Sequence, residues 1–117
     1  MTGKVLVYEP DLMFSSRVQS AITKCGLDAA VTTNIEDLQS ALKTLLPQAL
    51  LVNLDVFPNL ESSSLRSIQG KCRVFGYYSH VNSHLATEAL AAGFDEVMPR
   101  RTFVLKVSER LAGFASR

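Results

Sequence analysis

Apolar and polar positions follow two alternating rhythms along this chain. Five segments carry the strand pattern: Lys4–Tyr8, Asp28–Thr33, the stretch Pro47–Pro58, Arg73–Tyr78 and Phe94–Met98. They are rich in valine, leucine and aromatic residues and end in turn-forming residues, as strands do. Between them apolar residues recur three and four apart, the helical spacing. Phe14, Val18, Ala21, Ile22 and Cys25 form one such stripe, and Ile35, Leu38, Leu42, Leu45 and Leu46 a second. An alanine-rich stretch from His84 to Ala92 and a stripe through Phe103, Val107, Leu111 and Phe114 complete the regular helices. Residues 61–68 predict a short helix despite three consecutive serines, which favour caps over helix interiors.

Local signals set the boundaries. Asp11, Asn34 and Thr102 are placed as N-caps, Asn82-Ser83 as the cap of the helix from His84, and Gly26, Gly70 and Gly93 as helix stops. Gly76 marks a close approach within the fourth strand. Tyr77 and Tyr78 point to opposite sides of that strand, one into the core and one towards solvent. The third strand differs from the others: Ala49-Leu-Leu-Val52 is unbroken apolar sequence between Pro47 and Pro58. That composition suits a strand buried on both faces. Asn53 and Asp55 stand at its C-terminal end, where open α/β sheets place their sites. Two residues apart, they share a facing if the strand runs on through both.

Strand and helix alternate five times, which predicts a parallel sheet covered on both faces and joined by right-handed crossovers. At this size the expected solution is α/β: a flavodoxin-like, doubly wound, five-stranded parallel sheet, (βα)5, of strand order 2-1-3-4-5. The 117 residues are expected to form one domain, 1–117.

Composition narrows the function. A net charge of +1 offers no general attraction for nucleic acid or an anionic membrane. No apolar run approaches the roughly 20 residues of a membrane helix, and the N-terminus leads directly into a strand rather than a signal peptide. Cys25 and Cys72 have no metal or redox spacing and read as free thiols of a reducing compartment. A cytoplasmic protein is expected. His80 and His84 are four apart but lack a third ligand, so a metal pair is not expected there. No glycine-rich phosphate loop and no Ser-His-Asp or Cys-His order is present, so an enzyme is not expected.

The placed elements resemble the receiver domain of two-component response regulators, over nearly the whole chain. Val5-Leu-Val-Tyr-Glu9-Pro10-Asp11 is similar to the strand that ends in the family's acidic pair. Pro47-Gln-Ala-Leu-Leu-Val-Asn53 is similar to the phosphoacceptor strand, in which the acceptor aspartate stands six residues after a proline. Tyr77-Tyr78-Ser79-His80 lies where the family carries a Ser/Thr, which falls on Tyr78 by direct counting or on Ser79 with a one-residue gap. Ala89-Leu-Ala-Ala-Gly93 matches a helix ending common in the family, and Arg100 lies where the family has its lysine.

The departures fall on the chemistry. An ordinary receiver holds Mg²⁺ on carboxylates and phosphorylates an aspartate. Here the acceptor position is Asn53, whose neutral amide is no carboxylate nucleophile. Pro10 removes half of the acidic pair, and Pro99 precedes the basic residue instead of following it. The resemblance therefore implies a pseudo-receiver with a degenerate pocket of Glu9, Pro10, Asp11, Asn53, Asp55, Tyr78, Ser79 and Arg100. It would signal through a protein partner, independently of phosphorylation and without a cofactor. The partner is a kinase, an output domain or a second copy, with homodimerisation through the face of the helix from His84, the strand to Met98 and the last helix. Val97, Arg101, Lys106 and Arg110 mark that face, and an expected ion pair between Glu9 and Arg100 would close the pocket. The alternative is a working phosphoacceptor at Asp55, with Glu9, Asp11 and Asp55 as weak ligands for Mg²⁺.

Overall fold

The computed structural model describes residues 4–45, 47–56, 72–79 and 82–115, with side chains to residue 112. The expected helix over 61–68, its stop at Gly70, Leu46, Pro58, His80 and the side chain of Phe114 lie outside the described residues. The strands are β1 (Lys4–Tyr8), β2 (Asp28–Thr32), β3 (Ala49–Asn53), β4 (Arg73–Tyr78) and β5 (Glu96–Pro99). The helices are α1 (Leu12–Lys24), α2 (Ile35–Leu45), α3 (His84–Ala91) and α4 (Arg100–Ala115). All strand pairings are parallel, in the order β2-β1-β3-β4-β5, as the pattern predicts.

Period-two alternation divides the core between the two faces of this sheet. Val5 and Val7 of β1, Ala49 and Leu51 of β3, Phe75 and Tyr77 of β4 and Met98 of β5 face one way. They pack on Phe14, Val18 and Ile22 of α1 and on Phe103, Val107 and Leu111 of α4. Leu6, Tyr8, Leu50, Val52 and Val74 face the other way, onto Leu38 and Leu42 of α2 and Ala89 of α3. Every residue of β3 is buried, which its unbroken apolar run requires. Each fully buried leucine or valine there contributes about 1.5–3 kcal/mol relative to an exposed one.

Most boundary signals act as expected. Asp11 caps α1 by accepting hydrogen bonds from the Met13 and Phe14 amides at 3.0 and 3.3 Å. Asn34 accepts one from the Asp37 amide at 2.8 Å. Gly26 turns with φ +82° after α1. At Gly76 an added Cβ would lie 2.9 Å from Leu54 and 3.0 Å from Phe94, so the close approach is real. Two caps are corrected. Pro99 ends β5 and α4 begins at once at Arg100, which puts Thr102 inside the helix rather than at its cap. Ser83 occupies the N-cap of α3 without a side-chain hydrogen bond, because its backbone is already helical, with φ −59° and ψ −23°, rather than extended as a capping residue's is.

Candidate functional site

Register brings three polar side chains into one row at the C-terminal edge of the sheet. Asn53, the last residue of β3, is the direct partner of Tyr77 on β4. On its other side Val52 pairs with Tyr8, so Glu9 follows beside Asn53. Glu9, Asn53 and Tyr77 have the alternation parity of the α1/α4 face. Glu9 and Asn53 are only 1% and 6% exposed, and Tyr77 is fully buried.

A buried carboxylate must find hydrogen-bond donors, and Glu9 finds three. The Asn53 amide nitrogen donates to both its oxygens, at 2.9 and 3.0 Å. The Tyr77 hydroxyl donates to Oε1 at 2.6 Å, and the Asp11 backbone amide to Oε2 at 3.0 Å. The Asn53 carbonyl oxygen in turn accepts from the Asp55 amide at 2.9 Å, which fixes the orientation of the side-chain amide. Burial, then the Glu9 hydrogen bond and charge, push the Tyr77 hydroxyl far above the ordinary phenol range, so it remains a donor. Its ring stacks on Phe103 at 4.5 Å between centroids and tilts against Phe14 at 5.2 Å. The network is thereby tied to α1 and α4.

The charged residues separate around this row. Arg100 does not pair with Glu9. It stands at the start of α4, its guanidinium lies over the Phe14 ring at 3.9 Å, and it reaches Asp11 at 3.4 Å. The physical reason is solvation: Glu9 is buried and already satisfied, whereas Asp11 is exposed and a guanidinium keeps its head in water. The Phe14 amide foremost, with the Met13 amide and Arg100, holds the Asp11 carboxyl below the ordinary range. Asp55 also leaves the row. β3 ends at Asn53, so the expected shared facing of Asn53 and Asp55 is lost in the turn. The Asp55 carboxylate instead accepts from the Ser79 backbone amide at 3.0 and 3.2 Å and from Asn82 Nδ2 at 2.9 Å.

Of the candidate residues, Glu9, Asn53 and Asp11 therefore sit together, Arg100 lies at their rim, and Pro10 adds no side-chain polar group between Glu9 and Asp11. Ser79 and Asp55 form a separate bridge between strand ends. Tyr78 points to the α2/α3 face and packs on its core. Tyr77 and Asn82 are the residues that sequence reasoning did not place in the site. Alternation from Phe75 assigns the facing of Tyr77, but only the β3–β4 register brings its hydroxyl to Glu9.

Solved structures share this architecture. A response regulator from Thermotoga maritima superposes with TM-score 0.80 at 17% identity, over all of both chains. The receiver domain of Francisella response regulator 1452 gives 0.81 at 16%, over 99% of this chain and 98% of that one. The fold is that of a response-regulator receiver domain. An atypical orphan response regulator, described as having a phosphorylation-independent regulatory mechanism, shares the receiver fold at TM-score 0.72 and 18% identity, over 92% and 94% of the two chains. Neither a scan against protein-family models nor a search of curated proteins finds a match.

The receiver fold implies Mg²⁺ at this edge, and the residues present do not fit it. The ion needs several converging anionic oxygens in octahedral array. Glu9 has its oxygens filled by neutral donors, Asp11 caps α1 and pairs with Arg100, and Asp55 is turned to Ser79 and Asn82. Among the described residues no three His, Cys, Asp or Glu side chains group as a metal site.

The residues expected to mark the interaction face, Val97, Arg101, Lys106 and Arg110, are also divided. Arg101 and Arg110 are nine residues apart, about 180° around a helix. Arg110 donates to both oxygens of Glu96 on β5, at 2.9 and 2.8 Å, so its charge is already matched. Lys106 shares that flank, and Val97 is half-buried against the α2/α3 core. Arg101 lies on the opposite flank, towards α1.

Proposed function

We propose that this chain is a receiver-like signalling module that acts through protein contacts, without phosphorylation and without a metal or other cofactor. The observation that carries the reading is the Asn53 amide bonded to both oxygens of the buried Glu9. At the position where receivers hold an aspartate, this side chain serves as a hydrogen-bond donor. Phosphoryl transfer requires a nucleophilic oxygen and neutralisation of the incoming charge, and the Glu9 row provides neither. The fold neighbour described as phosphorylation-independent supports the same reading. The chain then serves as a binding module rather than an enzyme. Its partner is a protein: a kinase, an output domain or a second copy held through α3, β5 and α4, on the flank that carries Lys106. The Asp55 alternative is less well supported, because that carboxylate is engaged by a backbone amide and by Asn82.

The test is thermal unfolding with and without Mg²⁺ plus beryllofluoride, which mimics an aspartyl phosphate. A ligand that binds only the folded state raises its stability, by about 2.7 kcal/mol at a hundred times its Kd. The expected result is an unchanged midpoint. A clear rise that disappears in Asp55→Asn would replace this reading by the phosphoacceptor one.

A further inference from the structure

The two edges of the sheet differ. β5, at one end of the strand order, is four residues long, starts at the charged Glu96 and ends at Pro99, which has no amide to offer. Short length, charge and proline are the usual means by which an edge is kept from pairing with another chain. β2, at the other end, is less protected. Its sequence Asp28-Ala-Ala-Val-Thr32 holds one charge, at its first residue, and no lysine or proline. Its register with β1 runs without a bulge from the Lys4–Asp28 pair to the Tyr8–Thr32 pair. Ala29, Ala30 and Val31 are only half-buried, Ala29 and Val31 against the α1/α4 core and Ala30 against the α2/α3 core. Among the described residues no strand pairs with the outer side of β2.

The hydrogen-bond direction along β2 is fixed by its last residue. The Glu9 amide donates to the Thr32 carbonyl at 3.0 Å, so Thr32 turns its backbone towards β1. Alternate residues of a strand face the same neighbour. Ala30 and Asp28 therefore also face β1, and the amides and carbonyls of Ala29 and Val31 point outward. Outward main-chain groups of this kind are satisfied by a further strand. We propose that β2 pairs antiparallel with β2 of a second copy of this chain, about a two-fold axis at Ala30. In that register Ala29 lies opposite Val31 of the partner subunit, and Val31 opposite Ala29 of the partner subunit. Each such pair exchanges both N–H···O bonds, so every outward group of Ala29 and Val31 is used. Asp28 lies opposite Thr32 of the partner subunit, so no like charges meet. The half-buried alanines and valine of the two copies cover one another, and the apolar layers on both faces of the sheet continue across the junction. The strand is thus complementary to itself in bonding, charge and side-chain size, which is what a two-fold interface requires. The junction uses neither the Glu9 row nor the face of α3, β5 and α4, so it stands whether or not the chain is phosphorylated.

The test is sedimentation equilibrium of the full chain from micromolar to near-millimolar concentration, at low and high salt. The expected result is a reversible dimer that salt does not dissociate, because the junction contains no ion pair. Val31→Pro removes an outward amide that β1 does not use, and should weaken the dimer about tenfold or more. If urea unfolding shows that this variant has lost its fold, cross-linking decides instead. At the axis Ala30 faces Ala30 of the partner subunit as a non-hydrogen-bonded pair, with Cα atoms about 4.5 Å apart, within reach of a disulfide. The two copies of Ala29 lie diagonally, about 7–8 Å apart, which is too far. In a Cys25→Ser background, Ala30→Cys should therefore form a covalent dimer with copper-phenanthroline about tenfold faster than Ala29→Cys. A chain that sediments as a monomer throughout, a dimer that salt dissociates, a folded Val31→Pro that dimerises as wild type does, or equal cross-linking at positions 29 and 30 would each overturn the proposal.

Discussion

Replacing Asn53 by aspartate would restore the acceptor residue of a receiver, yet the structure predicts that it damages the fold. The Asn53 amide nitrogen lies 2.9 and 3.0 Å from the two Glu9 oxygens, in a place where both residues are almost fully buried. Asn53→Asp puts a carboxylate oxygen where that donor was. The charged acceptor loses its amide donor, a hydrogen bond worth about 1.5–3 kcal/mol, and gains a like charge at contact distance. Two carboxyls this close can relieve the repulsion by sharing one proton. The folded variant then binds a proton that the unfolded chain has released, so its stability falls as pH rises, by up to about 1.4 kcal/mol per pH unit for one proton. The sign is therefore a variant close to wild type at mildly acidic pH and far below it at mildly alkaline pH. Urea unfolding of both proteins across that range, with chelator present so that no divalent cation bridges the pair, measures this directly. If Asn53→Asp matches wild type at alkaline pH, or the difference between the two does not change with pH, the Asn53–Glu9 contact does not hold the site together.

Three further substitutions and reactions follow from the same geometry. Tyr77→Phe keeps the stack on Phe103 but removes a donor to Glu9, and should lower unfolding free energy by about 1.5–3 kcal/mol with little change in aromatic circular dichroism from the remaining rings. Gly76→Ala forces a methyl against Leu54 and Phe94 and should cost about 1–3 kcal/mol in the same urea assay; a neutral result would show that those side chains yield. Burial foremost, with the Asp95 charge, pushes the Cys72 thiol up to about 11. At mildly alkaline pH iodoacetamide should therefore modify the half-buried Cys25 well before Cys72, as read by peptide mass after a timed quench, and equal rates would contradict the burial of Cys72.

What the sequence made legible here was local, and what it hid depended on register. The α/β alternation, the doubly buried β3 and the caps at Asp11 and Asn34 each follow from residues within a few positions of one another. Glu9 and Asn53 could be placed at the same sheet edge because both end strands. Whether Tyr77 or Tyr78 joined them could not be settled locally, since it depends on Asn53 pairing with Tyr77 across two strands. The Glu9–Arg100 pair failed for a related reason: matching two opposite charges by position ignores that one is buried and the other begins a helix at the surface. Arg101 and Arg110 looked like one cluster in the chain and are on opposite flanks of α4.

The placement of Tyr77 and the failure of the Glu9–Arg100 pair have a common physical origin in the buried Glu9. A carboxylate left at the sheet edge, without a second acid or an acceptor aspartate beside it, still needs its lone pairs filled. The amide at position 53, the phenol of Tyr77 and the Asp11 backbone amide fill them with neutral donors. Each donor is held in turn: Asn53 by the Asp55 amide, Tyr77 by Phe103 and Phe14, and the Asp11 amide by the cap it starts. The same contacts that satisfy the charge therefore join β1, β3 and β4 to α1 and α4. In this chain the C-terminal edge of the sheet around Glu9 is therefore part of the structural core.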